Sequence, residues 1–248
     1  MLRTALFFST VVLATLYYGM QVLIAAWLGI RPEPQGFYDR TARKWSRLLL
    51  RAAGTPVVVR GLEHLPPPPV VYVANHASMF DILALVATVP GTVRFVAKKE
   101  LLRVPLFGPA MKAAGHIAID RQNRQAAFEA YDTAAAIIRS GISAVVFPEG
   151  TRSRTGELME FKKGPFVLAI AAQVPIVPMW IANTFDILPK GSRMLRRHPI
   201  PLCYGPPIAT EGLVYDDRFA LLERTRAAMI DLKSRVDSEL TDRIGSRA

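Results

Sequence analysis

The chain opens on an unbroken apolar run. Thr4–Ile30 spans 27 residues without a charged side chain, long enough to cross or enter a bilayer as one helix. A secretory signal is the competing reading, but its apolar core is shorter, and no small-x-small cleavage pattern follows here. Pro32 and Pro34 interrupt the run. Gln35–Ala53 then reads as a second helix. At about 100° per residue, Arg40, Arg43, Lys44, Arg47 and Arg51 share one narrow arc, with Trp45, Leu48, Leu49 and Ala52 on the opposite side. A basic face opposing an aromatic-aliphatic one suits a membrane interface. The alternative is a helix packed on the domain with its arginines solvated.

After the rigid spacer Pro66–Pro69, the pattern changes to short Val/Ile-rich runs alternating with helical segments. Strands are predicted at Val70–Val73, Val93–Ala97, His116–Ile119, Ala144–Phe147, Ile176–Ile181 and Pro201–Tyr204. Helices are predicted at Leu106–Ala114, at Asn123–Ser140 with Gly141 as its C-cap, at Lys163–Gln173 and at Leu221–Leu240. This alternation argues an α/β fold, with a largely parallel central sheet flanked by helices. The expected organisation is a pair of membrane-anchoring helices over residues 1–54 and an α/β domain over 55–248.

Charge sharpens the membrane reading. The net charge is +11, and residues 1–60 hold eight Lys/Arg against two Asp/Glu, so the basic excess gathers beside the apolar run. That placement favours an anionic membrane surface over nucleic acid. Seven of those eight cations follow the run, which by the positive-inside rule puts the α/β domain on the cytoplasmic face of the inner membrane. The lone Cys203 excludes an intrachain disulfide, and the four histidines lack metal-ligand spacing, so no metal is expected.

Two loops carry candidate chemistry. Asn75-His76-Ala77-Ser78-Met79-Phe80-Asp81 follows a buried-type strand. A neutral imidazole serves as a base near pH 7 once one ring nitrogen is held, and a carboxylate can supply that hold. Five residues on a regular helix rotate by about 140°, so the pair meets only if His76 lies in the loop and Asp81 in the first helical turn. Ser78-x-x-Asp81 also reads simply as a helix cap. With no serine or cysteine nucleophile evident except Ser78 inside the loop, a His–Asp pair suggests that a substrate hydroxyl attacks. The second loop, Phe147-Pro148-Glu149-Gly150-Thr151-Arg152-Ser153, also follows an apolar run. Its glycine turn, hydroxyls and guanidinium can hold a phosphate, or it is an ordinary charged turn.

Together these blocks resemble the glycerolipid acyltransferases, specifically the bacterial type of the 1-acyl-glycerol-3-phosphate acyltransferase family. The His-x4-Asp box comes first, then Gly115-His116-Ile117-Ala118-Ile119-Asp120-Arg121, then Phe147–Ser153, then Val174-Pro175-Ile176-Val177-Pro178. Ala97-Lys98-Lys99-Glu100-Leu101 and Pro105-Leu106-Phe107-Gly108 lie between the first two. The match covers roughly residues 55–210. One departure is His116, where the family usually carries an apolar residue. The resemblance implies His76 as base and Asp81 as its partner. It implies Arg152 as the leading phosphate ligand, assisted by Thr151, Gly150 and Lys98 or Lys99, with Arg121 a further candidate and Glu149 ordering the turn. The implied acceptor is lysophosphatidic acid, and the implied co-substrate is acyl-CoA or acyl-carrier protein, with no cofactor. Another lysolipid or glycerol-3-phosphate would use the same chemistry. A non-catalytic lipid-binding protein is the alternative outside enzymes. A serine hydrolase is disfavoured by the lack of a Gly-x-Ser-x-Gly elbow.

Overall fold

The computed structural model describes residues 2–120 and 124–245. Its centre is a strand, β2 (Val71–Ala74), buried at every position. Both its faces are covered, which is why the sequence there is a continuous apolar run rather than an alternating one. Seven strands form one sheet in the order β1-β7-β6-β2-β5-β3-β4, with β1 Val57–Arg60, β3 Val93–Lys98, β4 Ile117–Ile119, β5 Ser143–Val146, β6 Ile176–Ile181 and β7 Ile200–Tyr204. Every pairing is parallel except β6 with β7. The largely parallel sheet is as expected. The strand Val57–Arg60 was not anticipated; it pairs with β7 at the far edge.

Strand order decides where the motifs meet. β5 pairs directly with β2, Val146 opposite Val73, and β3 pairs with β5. The carboxyl ends of these three neighbours and the loops leaving them carry His76, the 147–153 turn and Lys98. In open parallel sheets ligands bind at that edge.

Helices cover the two faces. One face packs Tyr72, Ala74, Phe95 and Val145 beneath α1 (Leu2–Trp27), α2 (Phe37–Ala53) and α3 (Met79–Thr88), with α4 (Phe107–Ala113) at its edge. The other packs Val71, Val73, Ala144 and Val146 against α5 (Arg124–Arg139), α6 (Gly164–Ala172) and α8 (Arg218–Gly245). A short helix, α7 (Thr184–Ile187), follows β6.

The N-terminal helices are docked on the sheet domain. Along α1, Arg3 donates to the Leu195 carbonyl at 3.1 Å, Phe7 stacks on Phe80 at 5.6 Å, and Thr15 accepts the Trp45 indole N–H at 3.1 Å. Its outward face, including Leu13, Leu16, Tyr17, Met20 and Trp27, is exposed. α1 is long and apolar enough to cross a membrane, and that exposed face supports membrane association.

Two residues of the basic arc of α2 bond the domain itself. Arg43 donates to the Val89 and Gly91 carbonyls and Arg47 to that of Ala87, at 2.7, 2.5 and 3.3 Å. These carbonyls lie at the C-terminal end of α3, where unpaired acceptors and the helix dipole favour a cation. Leu49 and Leu50 are buried beneath the helix, while Arg40, Lys44 and Arg51 remain exposed. A buried ion pair, Asp39 with Arg94 at 2.7 Å, ties the first turn of α2 to β3.

Candidate active site

At the end of β2, Asn75 extends the sheet with its side chain. Its amide donates to the Ile181 carbonyl at 2.9 Å and accepts the Ile181 N–H at 2.8 Å. This clamp turns the chain, so that His76 emerges in the loop and Asp81 falls in the first turn of α3. His76 Nδ1 lies 2.7 Å from Asp81 Oδ2. The same oxygen accepts the N–H groups of Ala77 at 2.7 Å and Ser78 at 2.8 Å. Asp81 is fully buried, and two backbone donors fix its Oδ2 beside the imidazole. The helix cap and the His–Asp pair are therefore one arrangement. Ser78 Oγ donates to the Leu188 carbonyl at 2.7 Å and is buried, which removes it as a nucleophile. A proton on Nδ1 facing the carboxylate leaves the Nε2 lone pair of His76 as the basic site.

The second loop is bolted to the first. Glu149 accepts the His76 N–H at 2.6 Å and the Met159 N–H at 3.0 Å. Ser153 donates its N–H to the His76 carbonyl at 2.8 Å. Gly150 has φ of +74°, a conformation that favours glycine in this turn. Phe147, the last residue before the turn, stacks under the imidazole with centroids 4.0 Å apart at 15°. The ring is thus held at Nδ1, through its own backbone and across one face.

His76 lines a cavity of about 460 Å³ between the sheet and helices α1–α4. Its walls are mostly apolar: Tyr18, Val22, Trp45, Ile82, Val86, Leu106 and Met111 among others. The polar end gathers His76, Lys98, Gly150, Thr151, Arg152 and Lys190. An imidazole base beside a cationic rim, at one end of an apolar cavity, suits an anionic headgroup attached to a hydrocarbon chain.

Comparison with known proteins is decisive on family. The acyltransferase family model matches residues 56–182, just over half of the chain. The chain belongs to the acyltransferase family. It is 35% identical over 231 residues to a 1-acyl-sn-glycerol-3-phosphate acyltransferase of Cocos nucifera, covering 92% of this chain and 74% of that protein. It is 37% identical over 188 residues to the human alpha form, covering 75% and 66% respectively. The solved structure of the 1-acyl-sn-glycerophosphate (LPA) acyltransferase PlsC of Thermotoga maritima superposes with a TM-score of 0.74 at 26% identity, over 94% of this chain and 95% of that one. The protein is thus an enzyme.

Within this acyltransferase, the anticipated site residues divide. His76, Asp81, Glu149, Gly150, Thr151, Arg152 and Lys98 converge on one edge. Lys99 is instead paired with Asp120 and does not line the cavity. Arg121 lies outside the described residues. Two contributors were missed in the sequence. Phe147 is one; its place at a strand end, immediately before a motif turn, was the available signal. Lys190 is the other, and its Nζ donates to Thr151 Oγ1 at 3.2 Å; no motif surrounds it. His116 lines the cavity as a neutral ring: burial, aided by Arg94, pushes its pKa down to about 4, and Nδ1 accepts the Phe95 N–H at 3.1 Å.

Glu149 gives a pH prediction. Burial pushes its pKa up from an ordinary 4.5 to about 7, against the pull of its two backbone donors. The folded protein therefore keeps a proton that the unfolded chain releases between those values. Stability from this group is complete below pH 4.5 and declines as pH rises to about 7. Glu149→Gln should flatten that part of the Tm-versus-pH curve. Its amide oxygen serves one N–H donor where the carboxylate serves two, so activity should fall as well. A variant with the wild-type slope would place the proton on another group.

Proposed function

We propose that this enzyme transfers a fatty acyl group from an acyl thioester, acyl-CoA or acyl-carrier protein, to the sn-2 hydroxyl of 1-acyl-glycerol-3-phosphate, giving phosphatidic acid for phospholipid synthesis. The observation that carries this reading is the His76–Asp81 pair opening onto an apolar cavity with Arg152, Lys190 and Lys98 at its rim. The names of the relatives support the acceptor.

The chemistry follows from the geometry. His76 Nε2 takes the proton of the acceptor hydroxyl as the oxygen attacks the thioester carbonyl. Asp81 stabilises the imidazolium that forms. Collapse of the tetrahedral adduct breaks the C–S bond, and the thiolate recovers the proton from His76. The ester and the free thiol balance without a protein nucleophile. Arg152 provides the planar fork for the acceptor phosphate, Lys190 and Lys98 add charge, and the apolar cavity takes the hydrocarbon chain. The enzyme works at the cytoplasmic face of the inner membrane. Because α1 is docked along the domain, its exposed apolar side enters the lipid surface from that side.

An acceptor panel tests this assignment. Purified enzyme with one labelled acyl thioester should acylate 1-acyl-glycerol-3-phosphate far faster than glycerol-3-phosphate or 1-acyl-glycerol. Comparable use of glycerol-3-phosphate would reassign the acceptor. Preference for the phosphate-free lipid would remove the cationic rim from the mechanism.

A further inference from the structure

A second concavity, about 1110 Å³, lies on the opposite face of the sheet from the apolar cavity. Its floor includes Val96, Ile119 and Val146, which point into the core beneath α5, α6 and α8. The two spaces share Val96, Lys98, Phe147, Gly150 and Thr151. They therefore meet over the carboxyl edge of the sheet, beside His76.

This groove is more polar than the cavity. Lys98, Lys162, Lys163 and Arg218 line it. Arg218 is held in place: its guanidinium lies over the Tyr215 ring at 3.9 Å and the Phe219 ring at 4.7 Å, and Nη1 donates to the Tyr215 carbonyl at 2.7 Å and Asp216 Oδ1 at 3.1 Å. Its Nε is buried with no acceptor among the described residues. Lys163 sits over the other side chain of this group, 4.5 Å from the Phe219 centroid. Lys162 and Lys163 are exposed. The N-terminus of α6 opens here through Gly164 and Pro165, with the Tyr131 hydroxyl packed closely over Gly164. The acidic residues that face these cations are few. Glu100 lines the groove, Glu149 is buried on two backbone donors, and Asp216 is already paired with Arg218.

We propose that this groove binds the phosphorylated pantetheine arm of the acyl donor. The proposal rests on the thioester reading of the reaction. An acyl thioester has a hydrocarbon half and a water-soluble, anionic half. The enzyme offers an apolar cavity under the membrane-facing helices and a cationic groove on the side away from them. A donor laid across the shared edge at Gly150 and Thr151 puts its thioester beside His76. Its carrier then stays on the aqueous side, and the lipid acceptor keeps the membrane side. The phosphate common to both donor types is the group that Lys162 and Lys163 meet.

The test is the double variant Lys162→Ala/Lys163→Ala, assayed with acyl-CoA, acyl-carrier protein and an acyl-pantetheine that lacks the phosphate. Both side chains are exposed, and an unchanged Tm verifies the fold. Loss of charged contacts should raise KM roughly tenfold for the phosphorylated donors. KM for the acceptor and for acyl-pantetheine should stay put, and Lys162→Arg/Lys163→Arg should recover most of the loss. A rise in acceptor KM, an equal effect on acyl-pantetheine, or no effect on any donor overturns the proposal. A defect confined to acyl-CoA assigns the cations to nucleotide phosphates, and one confined to the carrier protein assigns them to that protein's surface; either overturns the shared arm. Failure of the wild type to use any thioester would instead refute the proposed reaction.

Discussion

His76→Ala should fold normally and lose acyl transfer by about two to four orders of magnitude, the usual worth of a positioned general base. The imidazole packs on Phe147 and bonds Asp81, but the loop itself is held by backbone groups: the His76 N–H on Glu149 and its carbonyl on Ser153. Those bonds survive the substitution. Asp81→Asn is the sharper companion. With its amide oxygen at the Oδ2 position, asparagine can still accept the Ala77 and Ser78 N–H groups and the imidazole proton. The Oδ1 position, buried and without a partner, receives the NH2. Geometry is retained while the charge opposite the imidazolium is lost, so kcat should fall with little change in either KM. A folded His76→Ala enzyme with near-normal turnover would end the mechanism.

Arg152→Ala should raise acceptor KM by roughly ten- to a hundredfold, the range for losing a charged hydrogen bond. Arg152→Lys should recover only part of it. Lysine keeps the charge and loses the bidentate fork, and Lys98 and Lys190 already provide point charges at the same rim. Donor KM should not move. If the defect appeared in donor saturation alone, Arg152 would belong to the carrier side of the site.

Much of this site was legible in the sequence because each motif combines an apolar run with the turn that leaves it. The short continuous apolar runs of β2 and β5 read as buried strands, and the His76–Asp81 spacing makes sense only across a loop-to-helix junction. Their adjacency is another matter: it depends on the pairing of β2 with β5, a non-local choice that no local pattern records. The same limit hid β1, four residues whose partner β7 lies about 140 positions later, and the reversed direction of β7 against β6. Helical periodicity correctly gathered the basic residues of α2 on one arc. It did not show that two of them, Arg43 and Arg47, bond carbonyls at and just beyond the end of α3, because a headgroup and a carbonyl are both acceptors for arginine. Lys98 and Lys99 are neighbours at a strand end and project differently, one toward the cavity and one to Asp120. That division needs the fold. Lys190 reaches Thr151 from a loop with no pattern of its own.

The central claim is direct attack by the lipid hydroxyl, activated by His76, without an acyl-enzyme. Its most direct test follows a radiolabelled acyl group from thioester to 1-acyl-glycerol-3-phosphate in vesicles, with both substrates varied and denatured protein counted for label. The account predicts labelled phosphatidic acid, intersecting initial-rate lines and protein free of label. Parallel lines with label retained on the protein would contradict it, as those are the marks of a covalent intermediate.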